Sequence, residues 1–238
     1  RVIVECPAAV EPLLAAAPGV AATIVRDAPF PDYDFHIPML SIPLVLGTTE
    51  ATIPGGVPYL AAPARVPAHA AEMAARIGAP DALRVGVVWA GSPTHKNDRR
   101  RSVGVGVLKY LLDVPGTRFV ALQKGPGIEQ LQLLAPALRE RLAEVGPLCD
   151  DFGDTAWAIE RLDLVVTVDT SVAHLAGAMG KPVWMIIPVD PDWRWMRERE
   201  DSPWYPTMRI FRQPKHGDWG SVILRVRGEL ERLAARFS

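Results

Sequence analysis

Cysteine is nearly missing from this chain. Cys6 and Cys149 are the two present in 238 residues, far apart and without metal-ligand spacing. That count excludes a disulfide scaffold and gives no support to a zinc site, and a reducing, cytoplasmic setting is the expectation. A basic excess is missing too. Lys and Arg number 26 against 27 Asp and Glu, for a formal net charge of −1 and a pI near 6.6, which argues against a dedicated nucleic-acid binder. No uninterrupted apolar run approaches the roughly 18 residues that a membrane-spanning helix needs, so no integral membrane segment is expected. Neither G-x-G-x-x-G nor G-x-x-x-x-G-K-[ST] occurs, so a nicotinamide fingerprint and a P-loop are both unsupported. An initiator methionine is also lacking. The chain opens at Arg1 directly on a strand-like run, residues 1–6, and the expectation is a fragment or a chain whose preceding residues are missing; no signal peptide is judged from such a start.

What is present points to a globular α/β protein. With 49% hydrophobic residues, the length suffices for one large domain or two small ones. Proline is the excess: 23 residues, about twice the usual ~5%. Residues 1–67 hold 11 of them and none of the seven tryptophans, and their charge is three basic against six acidic residues, or −3. Strands are expected at 2–5 and 22–25 with a short helix at 8–16 between them. An extended piece follows at 34–38 and an apolar, helix-like segment at 39–46. This reads as the end of a domain. The Pro-rich run 54–67 reads as a semi-rigid linker, so the boundaries are 1–67 for this remnant and 68–238 for the main domain.

From residue 81 the pattern is regular. Apolar runs of strand length recur at 84–89, 118–122, 164–168, 183–187 and 208–211. Helical periodicity lies between them at 103–113, 127–143, 154–161 and 170–179, and a last helix spans 219–236 with Val222, Leu224, Val226, Leu230 and Leu233 available to its buried side. Near-continuous β-branched strands imply burial on both faces and hence a parallel sheet. The alternation gives a Rossmann-type, doubly wound fold.

In such a sheet ligands bind beyond the carboxyl ends of the strands, so the loops there carry the functional reading. After 84–89 comes Ala90-Gly-Ser-Pro-Thr-His-Lys-Asn-Asp-Arg-Arg-Arg-Ser102. Gly91 permits close backbone approach, Ser92 supplies a hydroxyl, and Lys96 with the Arg99–Arg101 cluster suits a phosphate or diphosphate. Taken alone, the loop reads more readily as a solvated charged stretch; its position at the sheet edge reverses that in favour of the anion. After 164–168 comes Asp169-Thr-Ser-Val-Ala-His174, where Asp169 or Thr170 can cap a helix whose first-turn amides face an anion. His174 lies one turn in, either as a ligand contact or as a packed core histidine. Gln123-Lys-Gly-Pro-Gly-Ile-Glu129 is a glycine-bearing turn after 118–122. Asp154 reads as the N-cap of a helix in Cys149–Thr155, with a contact to a base or ribose as the other reading. Trp193, Arg194, Trp195, Trp204 and Tyr205 reach the same edge, stacking on a ligand or packing on the last helix. Asp190-Pro-Asp192 has Asp-x-Asp spacing but no expected metal role.

The order Val88-Trp-Ala-Gly-Ser92 with Lys96, then Leu122-Gln-Lys-Gly125, Asp151-Phe-Gly-Asp-Thr155, and Val168-Asp-Thr-Ser-Val-Ala-His-Leu-Ala-Gly-Ala-Met-Gly-Lys-Pro-Val-Trp184 resembles one known group. It is similar to the carboxyl-terminal, donor-binding domain of GT-B glycosyltransferases of the heptosyltransferase type, glycosyltransferase family 9. The nearest branch is the one often fused behind tetratricopeptide repeats, which Asp192-Trp-Arg-Trp195 and Ser202-Pro-Trp-Tyr-Pro206 also resemble. The likeness is strongest over residues 81–238.

The resemblance implies a nucleotide-diphospho-sugar donor, no cofactor, and a metal-independent, inverting transfer of a hexosyl or heptosyl unit to a carbohydrate, lipid-linked saccharide or protein acceptor. Asp169, Thr170, Ser171 (where the family has glycine) and His174 match its diphosphate motif, and Ser92 with Lys96 its leaving-group contacts. Glu129 after Gly125 matches a ribose-binding glutamate. Gly91, Arg99, Gln123 and Lys124 complete the implied donor site, with Lys96 as the catalytic stabiliser of the leaving group. The family's glycine-rich loop with its acidic acceptor base would precede Arg1. Two other functions stay open: a non-catalytic nucleotide-sugar or protein-binding module of a larger repeat protein, and a GT-B-shaped nucleotide-sugar epimerase.

Overall fold

A computed structural model describes residues 1–237. The chain starts with strand β1 (Val2–Cys6), helix α1 (Glu11–Ala15) and strand β2 (Val20–Val25), a parallel pair with one crossover helix. After an irregular stretch come the short α2 (Ile42–Val45) and then α3 (Ala70–Ile77). The remainder alternates: β3 (Leu83–Val88), α4 (Asp98–Arg101), α5 (Val105–Leu108), β4 (Thr117–Ala121), α6 (Pro136–Arg139), β5 (Leu142–Glu144), α7 (Phe152–Glu160), β6 (Leu164–Val168), α8 (Ser171–Ala178), β7 (Val183–Ile187), β8 (Met208–Arg212) and α9 (Trp219–Phe237). Six strands form one sheet in the order β5-β4-β3-β6-β7-β8, every pairing parallel.

The burial follows from composition. Val85, Val87, Val165, Val166, Met185 and Ile187 are all at 1% exposure or less, because helices cover the sheet on both faces. One core gathers α3, α7 and α8 on one side, and the other gathers α5 and α9 on the opposite side. The switch in strand order falls between β3 and β6, which places the ligand crevice of a doubly wound sheet beyond their carboxyl ends.

Several elements differ from the sequence reading, each for a local reason. The periodic stretch 127–143 is not one helix. It divides into a 3-10 turn (Ile128–Leu133), α6 and the edge strand β5, because Pro136 lacks an amide and biases Ala135 to extended backbone. The stretch 103–113 is helical over Val105–Leu108 alone, entered through Gly104 at φ 72°, a conformation glycine adopts without strain. No strand forms at 34–38. On α9, Leu224 is exposed and Ile223 takes the buried place with Val222, Val226 and Leu230. Helix α7 starts two residues before the expected cap. Asp151 accepts from the Asp154 amide at 3.0 Å, and the Asp154 carboxylate is buried inside the first turn.

The proline-rich run 54–67 forms neither helix nor strand and is tied down along its length. The Tyr59 amide donates to the Ala178 carbonyl at the end of α8. The Arg65 guanidinium reaches Asp151 at 2.8 Å and Asp154 at 2.9 Å at the start of α7. Leu13 of α1 is buried in the same core as α7, so the amino-terminal unit and the strap 54–67 both lie against the face that carries α7 and α8. Among the described residues no helix is long and apolar enough to cross a membrane.

One ion pair sets an acid sensitivity. The Arg84 side chain on β3 makes a bidentate pair with Asp163 at 3.0 and 2.8 Å, and its amide adds a third bond at 2.9 Å. Burial raises the Asp163 carboxyl, but the Arg84 hydrogen bonds and charge outweigh it and hold it below the ordinary value. A depressed carboxyl stabilises the fold above its unfolded pKa of about 3.9 and loses that contribution as pH falls through the lower folded value. Asp163→Asn is therefore expected to cost about 2 kcal/mol at pH 7. The gap to the native chain should close below about pH 4, as measured by urea unfolding across pH; a gap constant down to pH 2 would refute the linkage.

Candidate donor site

A cavity of about 490 Å³ opens at the switch point. Its floor comes from the carboxyl ends of β3, β4 and β5: Val88, Ala90, Gly91, Leu122 and Gly146. Ser92 and Arg101 form one wall with Thr170, Ser171 and Val172, and Lys124, Asp150, Asp151 and Phe152 form the other.

The α8 wall presents backbone donors. Thr170 stands at the N-cap position, yet no side chain caps the helix; the Thr170 hydroxyl lies 3.2 Å from that of Thr167 instead. The expected cap by Asp169 or Thr170 is therefore absent, and the first-turn amides meet the cavity with the positive end of the helix dipole. Arg101 adds a full charge. Its Nη1 donates to the Asp169 carbonyl at 2.9 Å, its Nε lies 3.4 Å from Asp98, and its side chain is 15% exposed. It thus joins the loop after β3 to the turn after β6. Its tip lies against Gly91: a Cβ there would come within 2.5 Å of Nη2, so the site needs glycine at 91 for space.

The opposite wall mixes charges with an aromatic ring. Lys124 Nζ donates to the carbonyls of Cys149 and Asp150, which draws the loop after β5 over the end of β4. Gly146 is pressed against the carbonyl of Gln123. Gln123 is buried, and both ends of its amide are engaged: Oε1 accepts from the amides of Trp89 and Ala90, and Nε2 donates to the carbonyls of Ala90 and Pro126. Its role in this geometry is to pin two strand ends together.

Of the eleven residues singled out from the sequence, Gly91, Ser92, Gln123, Lys124, Thr170 and Ser171 line this cavity. Lys96 and Arg99 lie on the exposed stretch of the β3 loop, outside the lining. Glu129 is not a lining residue either; its Oε2 accepts from the Gly127 amide at 2.9 Å. Asp169 contributes its carbonyl to Arg101, and its carboxylate turns toward His174, 3.8 Å from Nε2. Asp192 is occupied by Arg194 and Asp190 pairs with His216. The sequence does not separate Arg101 from its cluster, and it offers the segment Cys149–Thr155 first as a helix start and second as a base or ribose contact; the structure puts Asp150, Asp151 and Phe152 of that segment on the cavity wall.

His174 belongs to a second, smaller cavity of about 270 Å³, lined also by Leu13, Tyr59, Leu60, Leu175 and Tyr205 and sharing Phe152 and Ser171 with the first. Its ring stacks on Trp195 at 5.2 Å between centroids and 28° between planes. Trp195 is fully buried and its carbonyl accepts from Arg212 at 2.9 Å. So Trp195 is a packing residue, but on α8 and on the face opposite α9, not on the last helix as the packing reading expected, whereas Trp193 is exposed. Burial pushes the His174 imidazole below its ordinary pKa; Asp169 and Asp192 oppose that and Arg194 adds to it.

No protein-family model matches the chain. It is 30% identical over 176 residues to Protein FlbA of Caulobacter vibrioides, across 73% of this chain and 28% of that protein, so the chain spans little more than a quarter of this relative's length. Among solved structures it superposes on the ADP-heptose lps heptosyltransferase II of E. coli with a TM-score of 0.66 at 14% identity, covering 98% of this chain and 89% of that one. A glycosyl transferase family 9 structure from Veillonella parvula gives a TM-score of 0.53 at 14% identity, over 92% and 63% of the two chains. At such identities the likeness is one of fold: this chain has the GT-B-type α/β architecture, with the parallel six-stranded sheet seen in those glycosyltransferases.

Proposed function

We propose that the chain is the donor-binding portion of a glycosyltransferase that takes a sugar from a nucleotide-diphospho-sugar. The observation that carries this reading is the pairing, in one cavity at the switch point, of Arg101 with an uncapped helix terminus, facing a wall of Lys124, Asp150 and Phe152. The first wall suits a diphosphate. The second suits a nucleoside: an aromatic ring for the base and a carboxylate for ribose hydroxyls. The fold shared with a protein named for ADP-heptose supports the same assignment.

In the transfer, an acceptor hydroxyl attacks the anomeric carbon while the bond from that carbon to the diphosphate oxygen breaks. The electron pair stays on the leaving diphosphate and the hydroxyl proton passes to a base. Negative charge therefore grows on the diphosphate, where the Arg101 guanidinium and the amides of Ser171 and Val172 stabilise it. Each preorganised donor of this kind lowers the barrier by about 3 kcal/mol. These donors act without a metal in the proposed scheme. The acceptor, a carbohydrate, lipid-linked saccharide or protein, approaches from the side of the amino-terminal unit, residues 1–67, which packs against α7 and α8.

Calorimetric titration tests the reading. ADP, GDP, UDP and CDP are titrated beside the matching nucleosides and inorganic pyrophosphate. One diphosphate is expected to bind at a single site at least ten times more tightly than its nucleoside, a difference of about 1.4 kcal/mol. Failure of every diphosphate to bind, or equal affinity for diphosphate and nucleoside, would overturn it.

A further inference from the structure

We infer that Tyr205 is a positioning residue for His174, setting the tautomer in which the ring proton sits on Nε2 beside Asp169 at the edge of the donor cavity; this rests on the proposed donor site. Tyr205 lies in the segment before β8, far from α8 in sequence, and its ring packs under Gly177, where a Cβ would come within 2.5 Å of the ring. Its hydroxyl is 2.9 Å from His174 Nδ1. A neutral imidazole has one donor nitrogen and one acceptor nitrogen, so the partner of Nδ1 dictates the state of Nε2.

The surroundings select one of the two arrangements. Nε2 faces the Asp169 carboxylate at 3.8 Å. A bare lone pair there would oppose a negative charge, whereas an N–H is attracted to it. Nε2 therefore carries the proton, Nδ1 is the acceptor, and Tyr205 is the donor. Tyr205 remains a phenol, since burial, followed by the neighbouring Tyr59, pushes its pKa well above the ordinary range. His174 remains neutral at pH 7 because burial lowers its pKa. The charged groups facing it are Asp169 from the turn before α8 and Asp192 and Arg194 from the turn after β7. Trp195 holds the ring plane from behind, with its carbonyl fixed by Arg212.

The consequence is a directed donor. His174 and Ser171 line the second cavity together, and Ser171 also lines the first, so Nε2–H is offered on the side where the diphosphate and the transferred sugar would meet. It donates to an oxygen of the bound ligand; it does not accept the acceptor's proton. Tyr205 acts through His174 and itself touches no reacting atom.

The closing experiment reads the tautomer directly. Long-range 1H–15N spectra of protein labelled at its histidines are recorded at pH 7.5, with the His174 signals assigned by their loss in His174→Asn. The native chain is expected to show a protonated Nε2 and an acceptor-type Nδ1. Tyr205→Phe, which keeps the packed ring, is expected to show a mixture of tautomers and a three- to tenfold weaker affinity for the nucleoside diphosphate selected by titration. In the His174→Asn background, Tyr205→Phe is expected to change affinity less than twofold. A native Nδ1–H tautomer, or a tautomer unchanged in Tyr205→Phe, would overturn the inference even if the diphosphate binds well. Absence of diphosphate binding with the expected tautomer would instead count against the donor site itself.

Discussion

Arg101→Ala is expected to weaken nucleoside-diphosphate binding by about ten- to a hundredfold. A hydrogen bond to a charged group contributes about 1.5–3 kcal/mol, and tenfold in affinity corresponds to about 1.4 kcal/mol. Arg101 is placed to make such bonds because its chain is largely buried and its Nη1 is already anchored on the Asp169 carbonyl, so little ordering is lost on binding. Arg101→Lys retains the charge without the planar fork and should recover part of the loss. Lys96→Ala and Arg99→Ala are expected to change affinity less than threefold, since both side chains are exposed and outside the cavity lining and surface charges act weakly through solvent. Gly91→Ala is a second probe of the same point. Its new methyl group meets the flexible end of the arginine, 2.5 Å away, so the fold should survive while affinity falls along with Arg101→Ala. Calorimetry with melting curves for each variant checks this series. If Lys96→Ala proved as damaging as Arg101→Ala, the positive charge that balances the diphosphate would have to come from the exposed loop as well as from the cavity wall.

Gly146→Ala is expected to be the most destabilising single-atom change on the cavity wall. A Cβ at 146 would lie 2.2 Å from the Gln123 carbonyl oxygen and 2.7 Å from the carbonyl carbons of Gln123 and Leu122. All three are backbone atoms at the carboxyl end of β4, so relief requires moving the loop after β5 away from the sheet. Overpacking of this kind costs about 3 kcal/mol. In a chain of this size that corresponds to a melting temperature lower by about 10 °C. Gly106→Ala provides the control: it sits on an exposed position of α5 with nothing within 4 Å of the added carbon, and it should raise stability slightly by favouring the helix. Equal melting temperatures for Gly146→Ala and the native chain would show that the β4–β5 edge is plastic.

How far the sequence was readable depended on whether a signal is carried by neighbours in the chain or by neighbours in space. Strands β3, β6 and β7 were plain in the sequence because a run of Val, Ile and Leu has one stable place, the middle of a doubly covered parallel sheet. Strand β5 was missed because three residues, Leu142–Glu144, are too few to show any period. The helix expected over 127–143 failed at Pro136, a residue whose effect is local and was available to be weighed. The site divided in the same way. Gly91, Ser92, Thr170 and Ser171, which line the cavity, are legible because the carboxyl ends of parallel strands are marked in the sequence. Arg101 was not separable from Arg99 and Arg100, since all three share one composition and one loop. The helical turn α4 rotates successive side chains by about 100°, and one of the three is thereby directed at Asp169.

The amino-acid sequence thus determined the class of fold and the edge of the sheet at which the cavity opens, because burial patterns and strand order are written residue by residue. Which cation lines the cavity, which ring stands against His174 Nδ1, and which glycine leaves no room for a methyl group were decided by contacts between distant segments: Arg101 with Asp169, Tyr205 with His174, Gly146 with Gln123. Such contacts exist after the sheet has closed and its loops have been brought within hydrogen-bonding distance, and no local pattern of residues encodes a distance.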